Sequence, residues 1–377
     1  MRIAVVHSFY SAAQPSGENA AVLDQVSALR AAGHDVHLLA RDTDKVGRGR
    51  FYEVASAITA ATGIGPNPGP QLDALQPDVV HLHNTFPNWG SGWTRRWSPR
   101  LVTTVHNFRP VCAAATLFRD GHDCEDCLTR PVIPAIRHRC YRASTAASAS
   151  VALGTRPNGP LRGVLTQSAE VVVLNPYAQE LYERVLSRPV RLVPNFVAAS
   201  GAGQDTNSLG WVFVGRLTEE KGIRLLLEDW PTGEPLDVIG GGPLDAEIRH
   251  LARDRGGIRV LGHMNREDVV SRLSSYEGLV VPSLCREGLP TTILEAMSAG
   301  RPSIISSRVA ASASLRDQGA ATIYTPGDRA SLVESFAYVR QHRESLGVSC
   351  LRTHKNSYSQ AAWLRAIQQV YSGIRFK

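Results

Sequence analysis

Two glutamates, Glu287 and Glu295, lie in the run Val281-Pro282-Ser283-Leu284-Cys285-Arg286-Glu287-Gly288-Leu289-Pro290-Thr291-Thr292-Ile293-Leu294-Glu295-Ala296-Met297-Ser298-Ala299-Gly300. Gly288 and Pro290 interrupt whatever precedes them, and proline suits the first turn of a helix. The run therefore predicts a turn carrying Glu287 and a helix from about Leu289 to Gly300 carrying Glu295. Were all eight steps between them helical, the carboxylates would stand roughly 12 Å apart along the axis. A glycosidase pair holds a sugar between carboxylates about 5 to 9.5 Å apart. The two glutamates read instead as separate acceptors for hydroxyl-rich parts of one ligand, with the N–H groups of the helix start open to an anion. A sugar carried on a diphosphate offers all three groups.

A second stretch, Phe213-Val214-Gly215-Arg216-Leu217-Thr218-Glu219-Glu220-Lys221-Gly222, puts an arginine at the end of a strand and a lysine at the start of a helix. Both cations can face one diphosphate, where fixed positive charge lowers the cost of a departing phosphate. Taken alone, the pair also fits ordinary solvated surface charges. Val238-Ile239-Gly240-Gly241-Gly242-Pro243 predicts a tight turn after a strand, but lacks the dinucleotide-binding spacing and an acidic ribose partner. Pro77-Asp78-Val79-Val80-His81-Leu82-His83 and Leu101-Val102-Thr103-Thr104-Val105-His106 are strands that each end in histidine, at the edge where such sheets bind ligands.

Glu287 and Glu295, opened by Glu-Gly-Leu-Pro and closed by Leu-Glu-Ala-Met, resemble the signature of the group 1 glycosyltransferases, the large family 4 of retaining enzymes with the GT-B fold. The resemblance covers most of the chain, and the motifs come in the family's order. It implies that Arg216 and Lys221 stabilise a leaving diphosphate, that Glu287 orients donor hydroxyls and that Glu295 holds the ribose, with Gly288 and Leu289 beside them. Leu261-Gly262-His263-Met264-Asn265 resembles the turn whose backbone contacts the base, which brings His263 and Met264 to the donor. In Gln14-Pro15-Ser16-Gly17-Glu18-Asn19 the resemblance makes Gly17 part of a loop over the diphosphate, although Ser16 stands where a first glycine is common. His106 matches the histidine that the family sets beside the donor sugar, contacting it from the opposite domain.

Other chemistry-bearing residues stand outside those motifs. Cys112, Cys124, Cys127 and Cys140 fall in one segment with a single close pair, which leaves a structural zinc site and reduced thiols both open. The segment around them, with Leu117-Phe118-Arg119-Asp120-Gly121 and Arg137-His138-Arg139-Cys140-Tyr141-Arg142, resembles a subgroup of these transferases associated with surface polysaccharide assembly, and its arginines suit an anionic acceptor. Asn88-Trp89-Gly90-Ser91-Gly92-Trp93-Thr94-Arg95-Arg96-Trp97 suits a membrane interface or a sugar-stacking site, or else a helix packed on its own domain. Asp42-Thr43-Asp44 mimics a metal-binding motif of the other glycosyltransferase fold and reads as a solvated turn.

The elements that must carry these residues follow from periodicity. Arg2–Val6 predicts a buried strand; Val22, Leu23, Val26 and Leu29 repeat as a helix that Gly33 ends; Val36–Ala40 is the next strand. Residues 47–70 read as irregular, with a clear loop from Gly63 to Pro70. Strands at 171–174 and 190–193 close the first half, and the polar, small-residue stretch Pro194–Ser208 reads as an interdomain connection. A second unit alternates strands at 211–214, 236–239, 258–261, 279–281 and 303–305 with helices after Thr218, Pro243, Arg266 and Pro290. The expected architecture is α/β: two facing Rossmann-like doubly wound domains with a cleft between them, the GT-B fold. Its parts are an acceptor-side domain over 1–195, a nucleotide-sugar-binding domain over 209–355, and a C-terminal helix over 356–377 that the resemblance packs back on the first domain.

The chain has 377 residues, enough for two ordinary domains, with 43% hydrophobic and 20% charged residues, as in a soluble globular protein. No apolar run reaches membrane-spanning length and the N-terminus lacks a signal-peptide core, so a cytoplasmic location is expected. Net charge is +7, nearly all arginine, since only Lys45, Lys221, Lys355 and Lys377 are lysines. That charge suits anionic ligands, with peripheral association at the inner membrane face left open, and no nucleic-acid motif accompanies it. The expected activity is transfer of a sugar from a nucleotide-diphosphate-sugar co-substrate to an acceptor hydroxyl on a saccharide, lipid-linked saccharide or small metabolite, with no required cofactor. A sugar-nucleotide epimerase and a non-catalytic nucleotide-sugar-binding subunit remain the alternatives.

Overall fold

A computed structural model describes residues 1–11, 17–47, 49–200, 209–253 and 255–374. The chain divides into two units: Met1–Arg119 with Asp123–Val193 and Leu364–Lys377, and Asp120–His122 with Pro194–Trp363.

The main sheet of the first unit is made of β1 (Arg2–Phe9), β2 (Asp35–Asp42), β3 (Val79–Leu82), β4 (Leu101–Val105), β5 (Glu170–Val173) and β6 (Arg191–Leu192). They form one parallel sheet in the order β2-β1-β3-β4-β5-β6. Helices cover both faces of such a sheet, so its central strands are continuous apolar runs, as Ile3-Ala4-Val5-Val6 is. The order reverses between β1 and β3, where Val5 pairs with His81 and Val6 with Leu82. A crevice at the carboxyl ends of the strands opens at such a reversal.

The second unit holds β7 (Trp211–Val214), β8 (Leu236–Ile239), β9 (Ile258–Gly262), β10 (Gly278–Val281), β11 (Ser303–Ser306) and β12 (Ala321–Tyr324), parallel in the order β9-β8-β7-β10-β11-β12. Alternation along the strands builds two cores, one per face. Val212, Ile239, Leu279, Val281 and Ile305 pack with Ile293 and Met297 of the Thr291–Ser298 helix. Trp211, Phe213, Val238, Val280 and Ile304 pack on the other side with Leu226, Leu332 and Phe336. The reversal here lies between β7 and β10.

Two parallel doubly wound sheets bear out the expected fold class, and three local expectations need correcting. Residues 47–70 are not irregular throughout, because Arg50–Thr62 forms a helix ended by Gly63 in the left-handed region at φ 75°. Its core-facing residues include Thr59 and Ala60, while Phe51, Val54 and Ile58 face out, so the usual apolar-inward pattern is missing. The helix after Pro290 begins at Thr291 with Pro290 at the capping position. Strand β12 and the helices Arg329–Gln341 and Arg343–Thr353 were not anticipated, although Leu332, Phe336 and Val339 are buried at helical spacing and Asp328 caps the first of these helices through Ser331.

Candidate functional site

In the second unit Arg216, Lys221 and Glu287 lie at the reversal of its sheet, whereas His263 and Met264 follow the edge strand β9. Gly215 and Arg216 follow β7 directly, and Pro282 and Ser283 follow β10. Lys221 closes a single 3-10 turn, Glu219–Lys221, after which Gly222 takes φ 70° and the Ile223–Asp229 helix begins. A side chain on Gly222 would run into the carbonyl of Pro282, so only glycine lets the two loops close on one another. Leu284 N–H donates to the Glu220 carbonyl at 2.9 Å and ties the loops together.

That closure sets Lys221 Nζ against Glu287 Oε1. The other carboxylate oxygen, Oε2, accepts from Ser283 Oγ at 2.6 Å. Both partners of the ion pair are about one fifth exposed, at 20% each. Burial opposes the charge on Glu287, but Lys221, Ser283 and Arg216 outweigh it and hold the carboxyl below its ordinary range. Glu287 is thus an anion fixed at both oxygens beside a fixed cation. Arg216 Nη2 donates to Glu220 Oε1 at 3.3 Å and keeps an exposed guanidinium over the same edge.

Glu295, on the Thr291–Ser298 helix, is buried and accepts from Arg266 Nε at 2.7 Å. Glu287 and Glu295 therefore have different partners and do not form a carboxylate pair. Gly288 is half-buried and Leu289 buried between them. At the end of β9, Gly262 at φ 78° turns the chain so that His263 is exposed while Met264 packs against the core. The Gly262 carbonyl accepts from Gly240 N–H at 2.8 Å, which links this turn to the triple-glycine turn.

In the first unit Gly17 opens the Gly17–Ala31 helix and is exposed; Gln14, Pro15 and Ser16 of the expected loop lie outside the described residues. His106 follows β4, and its Nε2 meets His83 Nδ1 at 2.9 Å. His81 bonds Tyr371 through Nδ1 at 2.6 Å and Thr104 through Nε2 at 2.7 Å, and His7 Nε2 meets Asn19 Oδ1 at 3.1 Å. These four imidazoles form a ladder across the reversal between β1 and β3, with ring centroids of His81 and His83 4.2 Å apart and of His83 and His106 5.2 Å apart. Burial pushes His7 down to about 4 and His81 and His106 down to about 3, and takes His83 well below the ordinary range. All four are neutral at pH 7. His106 Nδ1 is buried without a partner.

Beside this ladder stands a group that sequence reasoning missed. Glu18 accepts from Asn107 Nδ2 at 3.0 Å, and burial raises its carboxyl to about 7, with Asn107, Asn84 and Arg109 acting in the opposite sense. Glu18, His83, Asn84, His106, Asn107 and Arg109 line a cavity of about 50 Å³, a space the size of a hydroxyl group or a water or two. An acid in the first turn of a helix is ordinary dipole chemistry, so nothing in the sequence marked Glu18.

Comparisons with known proteins decide the family. The model described as "Glycosyltransferase Family 4" matches residues 15–200, and that described as "Glycosyl transferases group 1" matches residues 209–341. The chain belongs to the group 1 glycosyltransferases. Among solved structures, sucrose-phosphate synthase from Thermosynechococcus elongatus aligns at a TM-score of 0.69 with 18% identity over 98% of each chain. The lipopolysaccharide outer core galactosyltransferase WaaB aligns at 0.59 with 15% identity over 99% of each, and the Anabaena protein Alr3699/HepE, in complex with UDP, at 0.59 with 12% identity over 99% of this chain and 100% of that one. These likenesses show the GT-B fold. An Escherichia coli O-antigen chain mannosyltransferase C is 32% identical over 141 residues, which span 36% of this chain and 38% of that protein.

Of the open readings of the tryptophan segment, packing on its own domain is the one the structure bears out. Trp89, Trp93 and Trp97 are core residues, packed with Ala4, Val6, Leu72 and Leu101. Trp89 Nε1 donates to the His7 carbonyl at 2.9 Å and Trp93 Nε1 to the Gly90 carbonyl at 2.8 Å. Their indoles are consumed by packing and offer neither a membrane anchor nor a stacking platform. Asp42 is a helix cap, accepting from Asp44 N–H at 2.9 Å, while Asp44 accepts from Ser11 Oγ at 2.7 Å.

Cys112, Cys124, Cys127 and Cys140 are not joined in disulfides, and among the described residues no three His, Cys, Asp or Glu side chains are grouped to hold a metal ion. Cys112 packs with Phe108 and Leu117, whereas Cys127 and Cys140 pack with Phe86, Ala135 and Val151. Burial, with Cys112, Cys140 and Cys124 near enough to add to it, pushes the Cys127 thiol up to about 12.

Proposed function

We propose that the chain transfers a hexosyl group, with retention at the anomeric carbon, from a nucleotide-diphosphate sugar to a hydroxyl of a saccharide or lipid-linked saccharide in surface polysaccharide assembly. The observation that carries this reading is the Lys221–Glu287 pair, set at the reversal of the second sheet with Arg216 on the same edge. As the bond from anomeric carbon to phosphate oxygen breaks, negative charge grows on the departing diphosphate, and Arg216 and Lys221 meet it already in place. Glu287, anionic and oriented by Ser283, accepts hydroxyls of the donor sugar. Glu295 takes the ribose, the His263–Met264 turn holds the base through its backbone, and Gly288 and Leu289 shape the diphosphate end.

In the first unit, Gly17 borders the diphosphate and His106 meets the sugar as a neutral imidazole, able to donate or accept but not to repel the cationic character that develops on the sugar ring. The acceptor oxygen bonds to the anomeric carbon, and its proton leaves with the diphosphate, so no cofactor is consumed. In this reading residues 1–195 serve the acceptor and 209–355 the donor. A uridine diphosphate sugar is the first donor to try, because the Anabaena neighbour is described with UDP and UDP-glucose. The mannosyltransferase relative supports a hexose and a polysaccharide pathway. The work would take place in the cytoplasm, at its membrane face.

Thermal shift of the purified protein against UDP-, GDP- and dTDP-sugars and the free diphosphates tests the donor, since a ligand that binds only the folded state raises its stability. One base should raise Tm, and Lys221→Ala should abolish the shift. No shift with any of them would overturn the reading.

A further inference from the structure

The Arg50–Thr62 helix is built inside out. Phe51 is 95% exposed, Val54 59% and Ile58 50%, and these three recur at helical spacing on one stripe with Ala55 and Thr62, both also exposed. The opposite face contributes Tyr52, Ser56, Thr59 and Ala60 to the unit. An amphipathic helix that served only its own domain would be turned the other way.

Its surroundings are basic. The helix packs against Thr145–Thr155, which in turn packs against Ile133–Arg137. Residues 127–169, which include both of these helices, contain six arginines and no aspartate or glutamate. Arg137, Arg139, Arg142 and Arg156 among them are exposed, as is Arg50 at the start of the inverted helix. The one acid on that helix, Glu53, comes within 3.8 Å of Arg142 in an exposed ion pair, which brings the basic segment next to the helix.

We propose that this face of the first unit docks on an anionic lipid surface, the helix lying in the interfacial plane with Phe51, Val54 and Ile58 inserted and the arginines on lipid phosphates. Charge selects this occupant: a second copy presenting the same face would set arginines against arginines. Shape agrees, because a phenylalanine standing 95% clear of the protein is placed to enter a soft interface rather than to line a groove. An interfacial helix of this kind combines apolar insertion with attraction of arginine to anionic headgroups, and both contributions are measurable. Docking there would hold the enzyme where lipid-linked acceptors are, but the proposal stands on the surface itself and not on the donor reading.

The test is co-sedimentation of the full chain with vesicles of phosphatidylglycerol and phosphatidylcholine in equal parts, against phosphatidylcholine alone. Wild type should bind the anionic vesicles at least about tenfold more strongly, and added salt should weaken it. Phe51→Glu with Ile58→Glu should lower binding by about tenfold or more. Arg139→Ala with Arg142→Ala should lower it similarly and flatten the salt dependence, all four positions being exposed and the Tm unchanged. No binding to anionic vesicles at low salt would overturn the proposal, as would unaltered binding by both double variants. Lipid-independent dimerisation of wild type that Phe51→Glu abolishes would also overturn it, in favour of a second copy.

Discussion

Lys221 and Glu287 are 66 positions apart in sequence, yet the lysine ammonium rests on one carboxylate oxygen while Ser283 Oγ holds the other at 2.6 Å. Parallel pairing of β7 with β10 makes the contact, since each strand delivers its following loop to the same edge of the sheet. Removing either partner leaves a mostly buried charge alone. Lys221→Ala should therefore cost about 1–3 kcal/mol of stability, read as a lower urea midpoint. It should also reduce transfer by roughly 100- to 1,000-fold, as loss of one preorganised oxyanion donor does. In a double-mutant cycle with Glu287→Ala the stability losses should be strongly non-additive; additive losses would show that the pair is not coupled.

The histidine ladder predicts a pH dependence whose sign can be worked out. His7, His81, His83 and His106 are held below the unfolded value of about 6.5, so in the window from about 6.5 down to about 4 the unfolded chain binds more protons than the folded one. Stability then falls as pH falls. Glu18 acts the other way, because its raised carboxyl keeps a proton that the unfolded chain releases between about 4.5 and 7. One carboxyl opposes four imidazoles, and each net proton is worth about 1.4 kcal/mol per pH unit. Tm should drop from pH 7 to pH 5, and His83→Asn should make the drop shallower. An unchanged slope in that variant would show that the ladder does not control the acid limb.

The core packing of the Trp segment gives a stability prediction. Trp89 fills the core beside Ala4, Val6 and Leu82, with its indole N–H on the His7 carbonyl. Trp89→Ala should cost about 3–5 kcal/mol, measured by denaturant unfolding, and Trp93→Ala a comparable amount. Were either substitution neutral for stability, the indoles would not be core.

What could be read from the sequence divides along physical lines. Strands buried on both faces announce themselves as short apolar runs, so strand order put Arg216 and His106 at strand ends, while the site roles expected of Arg216, Lys221, Glu287 and His106 came from the family resemblance. The partner of a side chain was not legible, because the Lys221–Glu287 contact depends on which strands neighbour each other. Glu18 looked like any first-turn acid. Tryptophan beside arginine has one composition whether it faces sugar, lipid or its own core, and only burial separates these. The Arg50–Thr62 helix carries Phe51, Val54 and Ile58 at helical spacing, a periodicity that reading 47–70 as irregular passed over; that the stripe faces solvent is visible only in the fold.

Two glycines at the second sheet's reversal should be the least replaceable small residues in that unit. Gly222 sits at φ 70°, and a Cβ there would strike the Pro282 carbonyl; Gly240 sits at φ 146°, and a Cβ there would strike the carbonyl of Gly215. In both cases the obstacle is backbone, which cannot rotate away as a side chain would. Alanine normally stabilises a chain by restricting its unfolded state, by about 0.4–1 kcal/mol, but only where the native backbone tolerates it. Here strain and collision act together, so Gly222→Ala should destabilise by at least about 1–2 kcal/mol and spread the loops that carry Lys221 and Ser283. Gly233, with φ 81° and open space around it, is the control: its alanine variant meets the strained dihedral without the collision. Gly222→Ala should lose more stability than Gly233→Ala and should also weaken nucleotide-sugar binding. Equal losses in the two, with binding intact, would mean that the dihedral alone matters and that close approach of the two loops does not shape the site.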